Sequence, residues 1–555
     1  MSDELVFLPL GGSGEIGMNL NLYGFGPAGE RQWIMIDCGV TFAGDDYPGI
    51  DLITPDIDYL LDDLDSGSEF LGLILTHGHE DHIGAVAHLW PSFEGPIYAT
   101  PFTAELVRRK FVDVGIDDAP IEITDLKARF RLGPFDLEYI TLTHSIPEPN
   151  AVVIRTPLGL ILHTGDFKID PSPVLGEETD YDALKALGEE GVLAMMCDST
   201  NVFSEGRSGS ESAVADTLAQ VIAEQKGRVA VTTFASNVSR VVSICRAAVK
   251  ADRSVCLLGR SMLRMVDVAR MVDLLPKGVS FVEPNEAGYL PNDKVLYLCT
   301  GSQGEERAAL ARIARDDHPD IVLSEGDTVI FSSKVIPGNE RPIYDMMNQL
   351  TEQGIEVIAE SDAFIHVSGH PCRDELRDMY AMVKPRIAVP VHGEPRHLAE
   401  HGKLALELGC DQAIVPKNGD LVRLAPGHAE KIDEVPAGRL YLDGNILLPE
   451  GDTALRERRR LAQEGVIVVS LAIGDDGKVR DRAPVFMKGV PKEDEEGDDL
   501  LAIIEEAVDE GLDALPRPKR QSDREVELQV RRAIRAQLSP RWGKRSDIVV
   551  LTLRV

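Results

Sequence analysis

The sequence predicts an α/β protein with three parts: a β-rich body, an α/β domain inserted into it, and a smaller α/β domain at the C-terminal end. Three observations carry this reading. Residues 1–200 mix short apolar runs such as "QWIMIDCG", "FLGLILTHG" and "VLAMMCDST" with Gly- and Pro-rich turns, the pattern of buried strands ending in polar residues. From about 208 to 360, helical runs such as "SESAVADTLAQVIAEQ" alternate with strand-like runs such as "RVAVTTFAS" and "KVLYLCTGS", which argues for a mostly parallel sheet covered by helices. His-rich strand ends then return in "AFIHVSGHPCRDELRDMYAMVKPRIAVPVHGEPRH", so the body resumes near residue 362. The expected boundaries are 1–207 and 362–450 for the body, 208–361 for the insert, 451–464 for a linker and 465–555 for the terminal domain.

The 555 residues are enough for three or four cores at roughly 150 residues per domain. An apolar content of 43% excludes a disordered chain. The formal net charge is −35, which opposes long-range attraction to nucleic acid or to an anionic membrane by the chain as a whole. It leaves room for a local basic groove. The seven Cys residues are scattered and form no CxxC pair, as expected of buried free thiols in a reducing compartment. The start "MSDELVFLPLGG" has no signal-peptide pattern, and no run of 18 apolar residues is present; a cytoplasmic protein that does not span a membrane is the expectation.

The first element with chemistry follows the apolar run "LGLIL". In "THGHEDHIGA", His77 and His79 are two apart after a strand and can converge on one metal ion, while Asp81 and His82 can reach a second. Imidazole nitrogens with a hard carboxylate suit zinc or manganese. Further donors stand at other strand ends: His144 after "LEYITLT", Asp166 after "GLILHTG" and His392 after "RIAVPV". Asp166 can bridge two ions. Seven donors are too many for one ion, and two ions about 3.5–4 Å apart share a water, lower its pKa and clamp an in-line displacement at phosphorus.

The insert would form a lid over these residues. "CDSTN" places Asp198 at a strand end, and "FSSKVIPGNE" reads as a hinge or connector. "TTFASNVSR" and "HVSGHPCRDEL" put hydroxyls and backbone N–H groups at helix N-termini, the chemistry of a phosphate seat. The glycine-rich "LGGSGEIGMN" lacks the helix of a dinucleotide loop and reads as a β-turn. His88 and His163 lie in apolar runs and read as core residues. His397 and His401, four apart, read as one face of a helix.

The pattern resembles the metallo-β-lactamase superfamily. The insertion together with "CDSTN", "HVSGH" and "PVHGEPRH" resembles its β-CASP branch. "LGGSGEIGMN", "DCG", "FSSKVIPGNE" and the extra C-terminal domain are similar to the bacterial ribonuclease J family. This resemblance implies a four-layer αβ/βα sandwich with an inserted β-CASP domain. It implies one ion held by His77, His79 and His144, another by Asp81, His82 and His392, and Asp166 bridging. The ions are expected to be two divalent metals, Zn2+ first and Mn2+ or Mg2+ otherwise. Asp198 would support the metal-binding histidines, and His370 would lie near the scissile phosphate and act as general acid. Asp81 would also orient the attacking water. Ser236, Asn237, His366, Ser368 and Gly369 would seat a 5′-phosphate or a backbone phosphate.

The implied activity is metal-dependent hydrolysis of RNA, processive from 5′ to 3′ with preference for 5′-monophosphate ends, together with endonuclease action, in RNA maturation and decay. The implied partners are single-stranded RNA and further copies of the chain, as a homodimer or homotetramer. A DNA nuclease of the same branch and a small-molecule metallohydrolase are the alternatives. The charge is uneven along the chain: residues 493–510 hold ten acidic side chains, and 517–545 hold ten basic and three acidic ones. "ELVRRK" (105–110) and "LRERRR" (455–460) are further basic points, from which a confined RNA channel on an acidic body is expected.

Overall fold

The computed structural model describes residues 2–44, 46–276, 278–482 and 484–555. The chain forms two compact units, Met1–Thr41 with Thr54–Arg439, and Phe42–Ile53 with Leu440–Val555.

The body of the first unit rests on two sheets. One has eight strands and centres on Glu4–Gly11, Leu20–Gly26, Gln32–Ile36 and Glu69–Ile74; the other has seven and centres on Asn150–Thr156, Gly159–His163, Ala194–Asp198 and Ile387–Val391. Successive side chains of a strand point to opposite faces, so each sheet feeds two cores. Leu5, Phe7, Ile34, Ile36 and Ile74 of the first sheet meet Leu137, Val152, Ile161, Met196 and Val389 of the second. On the outer face of the second sheet, Val153, Leu162, Met195 and Ala388 pack with Leu184, Leu376, Met379, Tyr380 and Leu404 of three helices. Trp33, which alternates with Ile34, turns outward from the first sheet. Its ring meets Tyr59 edge-on, and Nε1 donates to Asp63 Oδ2 at 2.7 Å in the helix Asp58–Asp65. Helix, sheet, sheet and helix make the four layers.

The insert is a five-stranded, wholly parallel sheet in the order Ser254–Leu258, Val295–Cys299, Val229–Thr232, Thr328–Phe331, Glu356–Ile358. Val231, Leu257, Leu298 and Ile330 pack on one face with the helices Glu211–Glu224 and Val238–Lys250. Ala230, Cys256, Tyr297 and Val329 pack on the other with Leu310, Ile343 and Met346. One polar group crosses this core. Arg240, fully buried, donates to both carboxylate oxygens of buried Glu211 at 2.9 Å and to Ser332 O and Ile365 O at 3.0 Å. The charge is paired and hydrogen-bonded, as burial requires.

The second unit has a sheet centred on Val466–Ile473, with Val479–Arg482 and Phe486–Lys488 antiparallel to it and Asp547–Arg554 parallel. Ile467, Val469, Leu471 and Ile473 pack against the helices Leu500–Ala514 and Asp523–Trp542. The segment Phe42–Ile53, far away in sequence, belongs to this unit: the Tyr47 ring lies 4.5 Å from that of Tyr441.

Two expectations need correction. The stretch 451–464, expected as a linker, carries the helix Thr453–Glu464, with Asp452 capping Ala454 N. Its single buried residue, Leu455, explains why no apolar stripe announced it. Most cations of the two short basic runs are also paired rather than presented. In "LRERRR", Arg458 pairs with Asp443, Arg459 with Asp46 and Arg460 with Glu464. In "ELVRRK", Arg108 and Arg109 pair with Glu105, Arg109 also with Asp267, and Lys110 with Glu80. All seven Cys residues are free and buried, as expected. No helix among the described residues is long and apolar enough to cross a membrane.

Candidate metal centre

The strand Glu69–Ile74 delivers the His-rich turn to the end of the first sheet, and the short helix Glu80–Ile83 closes it. The turn is held from below by backbone. Asn19 N donates to Asp81 O at 2.8 Å, and Cys38 N donates to His82 O at 2.7 Å. A Cβ on Gly39 would come within 1.7 Å of Asp81 O, so only glycine permits this approach. His144, Asp166, Asp198 and His392 arrive at the facing edge from the second sheet, each just beyond or at the end of a strand.

The seven donors expected for metals converge. Ligand atoms of His77, His79, His144 and Asp166 lie within 4.8 Å of one another, and so do those of Asp81, His82, Asp166 and His392. Asp166 belongs to both groups. A third group joins Asp166 and His392 to Asp198 and His370. His77 Nε2 and His144 Nε2 face His79 Nδ1 at 3.2 and 3.1 Å. Asp166 Oδ2 lies 3.1 Å from His82 Nε2, 3.9 Å from His77 Nε2 and 3.8 Å from His144 Nε2. Asp81 Oδ2 lies 3.2 Å from His392 Nε2.

Hydrogen bonds behind the rings fix which nitrogen faces inward. A carbonyl only accepts, so His144 Nδ1–H donates to Gly369 O at 2.6 Å and Nε2 carries the lone pair. Thr76 Oγ1 donates to Asp37 Oδ2 at 2.8 Å and therefore accepts from His77 Nδ1–H at 2.9 Å. His82 Nδ1–H donates to Asp37 Oδ2 at 2.7 Å. Thr200 Oγ1 donates to Asp198 Oδ1 at 2.7 Å and accepts from His392 Nδ1–H at 3.0 Å. Each of these four rings thus keeps a proton on its outer nitrogen, and in His77 and His144, which burial holds neutral, the inward-facing nitrogen is unprotonated. His79 Nδ1 stands between the lone pairs of His77 Nε2 and His144 Nε2, at 3.2 and 3.1 Å, where its own proton or a cation satisfies them. Asp166 Oδ1 is buried and accepts no hydrogen bond, although His392 Nδ1 is 3.2 Å away. Imidazole nitrogens, buried carboxylates and outer partners that set each tautomer are the make-up of a divalent-metal site.

Burial opposes the charged forms of His82 and His392, but the carboxylates beside them, Asp166 first, raise both well above the usual histidine range. Burial, then the neighbouring imidazoles, push His77 well below the usual histidine range, and burial lowers His79 to about 4. Burial opposes the charged forms of Asp81 and Asp166, but the adjacent histidines outweigh it and hold both carboxyls ionised. Around His370, burial lowers and the Asp198 carboxylate raises; the carboxylate wins and the pKa is raised. His370 Nδ1–H donates to Asp198 Oδ2 at 2.8 Å, which leaves Nε2 free.

Sequence reading missed Asp37, the buried end of the strand Gln32–Ile36, with φ +61°. It accepts from Thr76 N through Oδ1 at 2.8 Å, and from Thr76 Oγ1 and His82 Nδ1–H through Oδ2. Asp37→Asn would turn an N–H group onto one of these donors. It should weaken divalent-metal affinity about 10- to 100-fold with the fold retained, measured by metal titration beside circular dichroism. Asn201 was also missed. It donates to Ser368 Oγ at 2.7 Å and to His370 O at 3.1 Å, tying "CDSTN" to the "HVSGH" turn.

The five residues expected at a phosphate seat divide. Ser368 Oγ accepts from Asn201 and from His370 N at 3.2 Å, so its proton is free to donate outward. His366 Nδ1 is buried with no hydrogen-bond partner. Gly369 touches His144: a Cβ there would come within 2.7 Å of the ring. Its glycine serves this close approach. Asn237 is a helix cap, its Oδ1 accepting from Arg240 N at 2.9 Å and its Nδ2 donating to Glu211 at 3.2 Å. That side chain is buried and spends Oδ1 and one of its two Nδ2 hydrogens inside the fold. Ser236 is half-buried beside it. Of the remaining histidines, His163 bonds Tyr23 OH at 2.8 Å and His401 bonds Ser199 Oγ and Tyr380 OH at 2.8 and 3.0 Å, as core residues do.

Comparison with known proteins agrees with this geometry. Residues 28–195 match the metallo-β-lactamase superfamily and 226–350 the ribonuclease J β-CASP domain. Residues 354–416 match the Zn-dependent metallo-hydrolase RNA specificity domain and 453–555 the ribonuclease J C-terminal domain. Ribonuclease J of Sinorhizobium meliloti is 48% identical over 554 residues, covering 100% of this chain and 98% of that protein. Ribonuclease J of Thermus thermophilus is 36% identical, covering 88% and 85%. Ribonuclease J of Corynebacterium glutamicum is 35% identical, covering 98% and 75%. A crystal structure of a protein of unknown function from Enterococcus faecalis V583 shares the fold with a TM-score of 0.52 at 16% identity, covering 76% of this chain and 100% of that one. These matches set aside the DNA-nuclease and small-molecule alternatives: the chain belongs to the ribonuclease J family and is a metal-dependent hydrolytic ribonuclease of metallo-β-lactamase and β-CASP architecture.

Proposed function

We propose that the chain holds two divalent ions, zinc or manganese, and degrades single-stranded RNA from 5′-monophosphate ends in the 5′-to-3′ direction, with internal cleavage at the same centre. The observation that carries this reading is the pair of donor groups sharing Asp166. His77, His79 and His144 would hold one ion, Asp81, His82 and His392 the other, and Asp166 both. When bound, such ions supply Lewis acidity toward phosphoryl oxygens and lower the pKa of a water.

The chain's own residues do the rest. Asp81, at the rim, orients the attacking water. His370 holds a proton on Nε2 for the departing 3′-oxygen, and Asp198 keeps the ring aimed by its bond to Nδ1. The free O–H of Ser368 and the unpartnered Nδ1 of His366 receive a phosphate, with Ser236 at the margin. A terminal phosphate held there fixes the distance from the chain end to the scissile bond. A 5′-triphosphate adds charge that these groups do not compensate. Self-association as a dimer or tetramer, a cytoplasmic location and a role in RNA maturation and decay complete the proposal.

The test compares matched oligonucleotides: RNA with 5′-monophosphate, 5′-hydroxyl or 5′-triphosphate ends, circular RNA and DNA, each with and without chelator. Fastest hydrolysis of 5′-monophosphate RNA, abolished by chelator, is expected. Equal rates on the linear RNAs would rule out end recognition. Ser368→Ala should reduce the preference for 5′-monophosphate over 5′-hydroxyl ends about tenfold, the scale of one hydrogen bond to a charged group. Equal loss on circular RNA would remove Ser368 from the seat.

A further inference from the structure

The segment "FSSKVIPGNE", which reads as a hinge in the sequence, holds a cation in place. We propose that Lys334 is a phosphate-binding residue that grips the RNA strand beside the His366–Ser368 turn. The inference rests on the phosphate-seat reading above and adds to it a charged group and a function for this segment.

The backbone on both sides of Lys334 is anchored. Before it, Ser332 N donates to Thr232 O at 2.9 Å, Arg240 donates to Ser332 O, and Ser332 Oγ donates to Ile365 O at 2.7 Å. Ile365 immediately precedes His366, so this bond ties the segment to the start of the turn. After it, buried Gln303 donates from Nε2 to Lys334 O at 2.8 Å and accepts at Oε1 from Ile336 N at 3.0 Å. The side chain between these anchors is exposed and makes no salt bridge among the described residues. This contrasts with Arg108, Arg109 and Lys110 of "ELVRRK" and with Arg458, Arg459 and Arg460 of "LRERRR", which pair with acids.

Its charge also bears on His366 and on Cys372, four residues beyond the turn. His366 is lowered to about 3, by burial first, then by the Arg240 guanidinium and, more weakly, the Lys334 ammonium. At Cys372, burial raises the thiol while Lys334 opposes it. A phosphate entering between them meets a neutral imidazole, a hydroxyl proton and an ammonium. Lysine suits this position because its charge is compact and its three donors turn freely on a flexible stem.

The bound group is a phosphate, either the terminal monoester or a backbone diester. The experiment uses the full chain with Mn2+ supplied and one RNA sequence in 5′-monophosphate, 5′-hydroxyl and circular form. Lys334→Met should raise KM roughly tenfold, with a smaller change in kcat. The slope of log(kcat/KM) against log salt should flatten by about 0.7, the increment for one lysine–phosphate pair on a single strand. Lys334→Arg should restore most of both. Lys250→Met, at an exposed helix end, should match the parent and so control for net charge. A loss confined to 5′-monophosphate RNA assigns Lys334 to the terminal phosphate, and an equal loss on circular RNA assigns it to the backbone. Parental KM and salt slope on all three RNAs would overturn the proposal, as would a fall in kcat alone. A parent chain with no end preference would overturn the end-recognition reading and leave the circular-RNA test of Lys334 standing.

Discussion

Asp166→Asn is expected to abolish hydrolysis of linear and circular RNA alike, by on the order of 10³-fold or more, and to remove divalent metal from the protein. The substitution changes almost no volume. It replaces one carboxylate oxygen with an N–H donor and removes the negative charge at the one residue common to all three donor groups. Five imidazoles lie within 4 Å of its oxygens. An amide there can neither neutralise two cations nor accept from every side. Elemental analysis of the purified variant and single-turnover hydrolysis check the two parts separately. A variant that keeps its metal and loses activity would make Asp166 a catalytic group without a bridging role. One that loses a single equivalent would show that the ions bind independently.

The centre was legible to the extent that its signal is local in sequence. Three histidines and an aspartate within six residues, directly after a buried strand, have few structural explanations. His144, Asp166 and His392 are each an ordinary polar strand end until the two sheets bring their edges together. The strand-end pattern therefore named them, and only the fold assembles them. Asp37 shows the limit. Its sequence context, one aspartate after an apolar run, equals that of many surface turns. What marks it is full burial and a positive φ, and neither is written in residue type. His392, at φ +52°, shares that backbone signature. Both stand where side chains must leave a strand end at an unusual angle, a place where strained backbone tends to accumulate.

Charge was the less legible property. Counting cations along the chain picked out "LRERRR" and "ELVRRK", yet their acids come from i+4, from Asp443 and Asp46, and from Asp267 of the insert. Pairing depends on what the fold brings opposite, so a basic run in sequence is not a basic surface. The capture of Phe42–Ile53 by the second unit has the same origin. Tyr47 finds Tyr441 almost four hundred residues away, and no periodicity within either segment announces it.

His370→Gln is expected to lower kcat on RNA about 10²- to 10³-fold while leaving metal content unchanged. The ring touches the centre only from outside. Its Nδ1 is committed to Asp198 at 2.8 Å, and its approach to Asp166 Oδ2 is 3.9 Å. Removing it should therefore leave the seven inward-facing donors in place. A general acid matters in proportion to the basicity of what leaves. An RNA whose scissile 3′-oxygen is replaced by sulfur departs as a thiolate and needs no proton, so the variant should recover most of its lost rate on that substrate. Asp198→Asn should show the same selective recovery in weaker form, because it loosens the ring without deleting it. Equal losses on the oxygen and sulfur substrates would take the proton away from His370 and leave it as a contact to the phosphoryl oxygens. The comparison separates the two roles because both predict a low kcat on RNA, and only proton donation depends on the leaving atom.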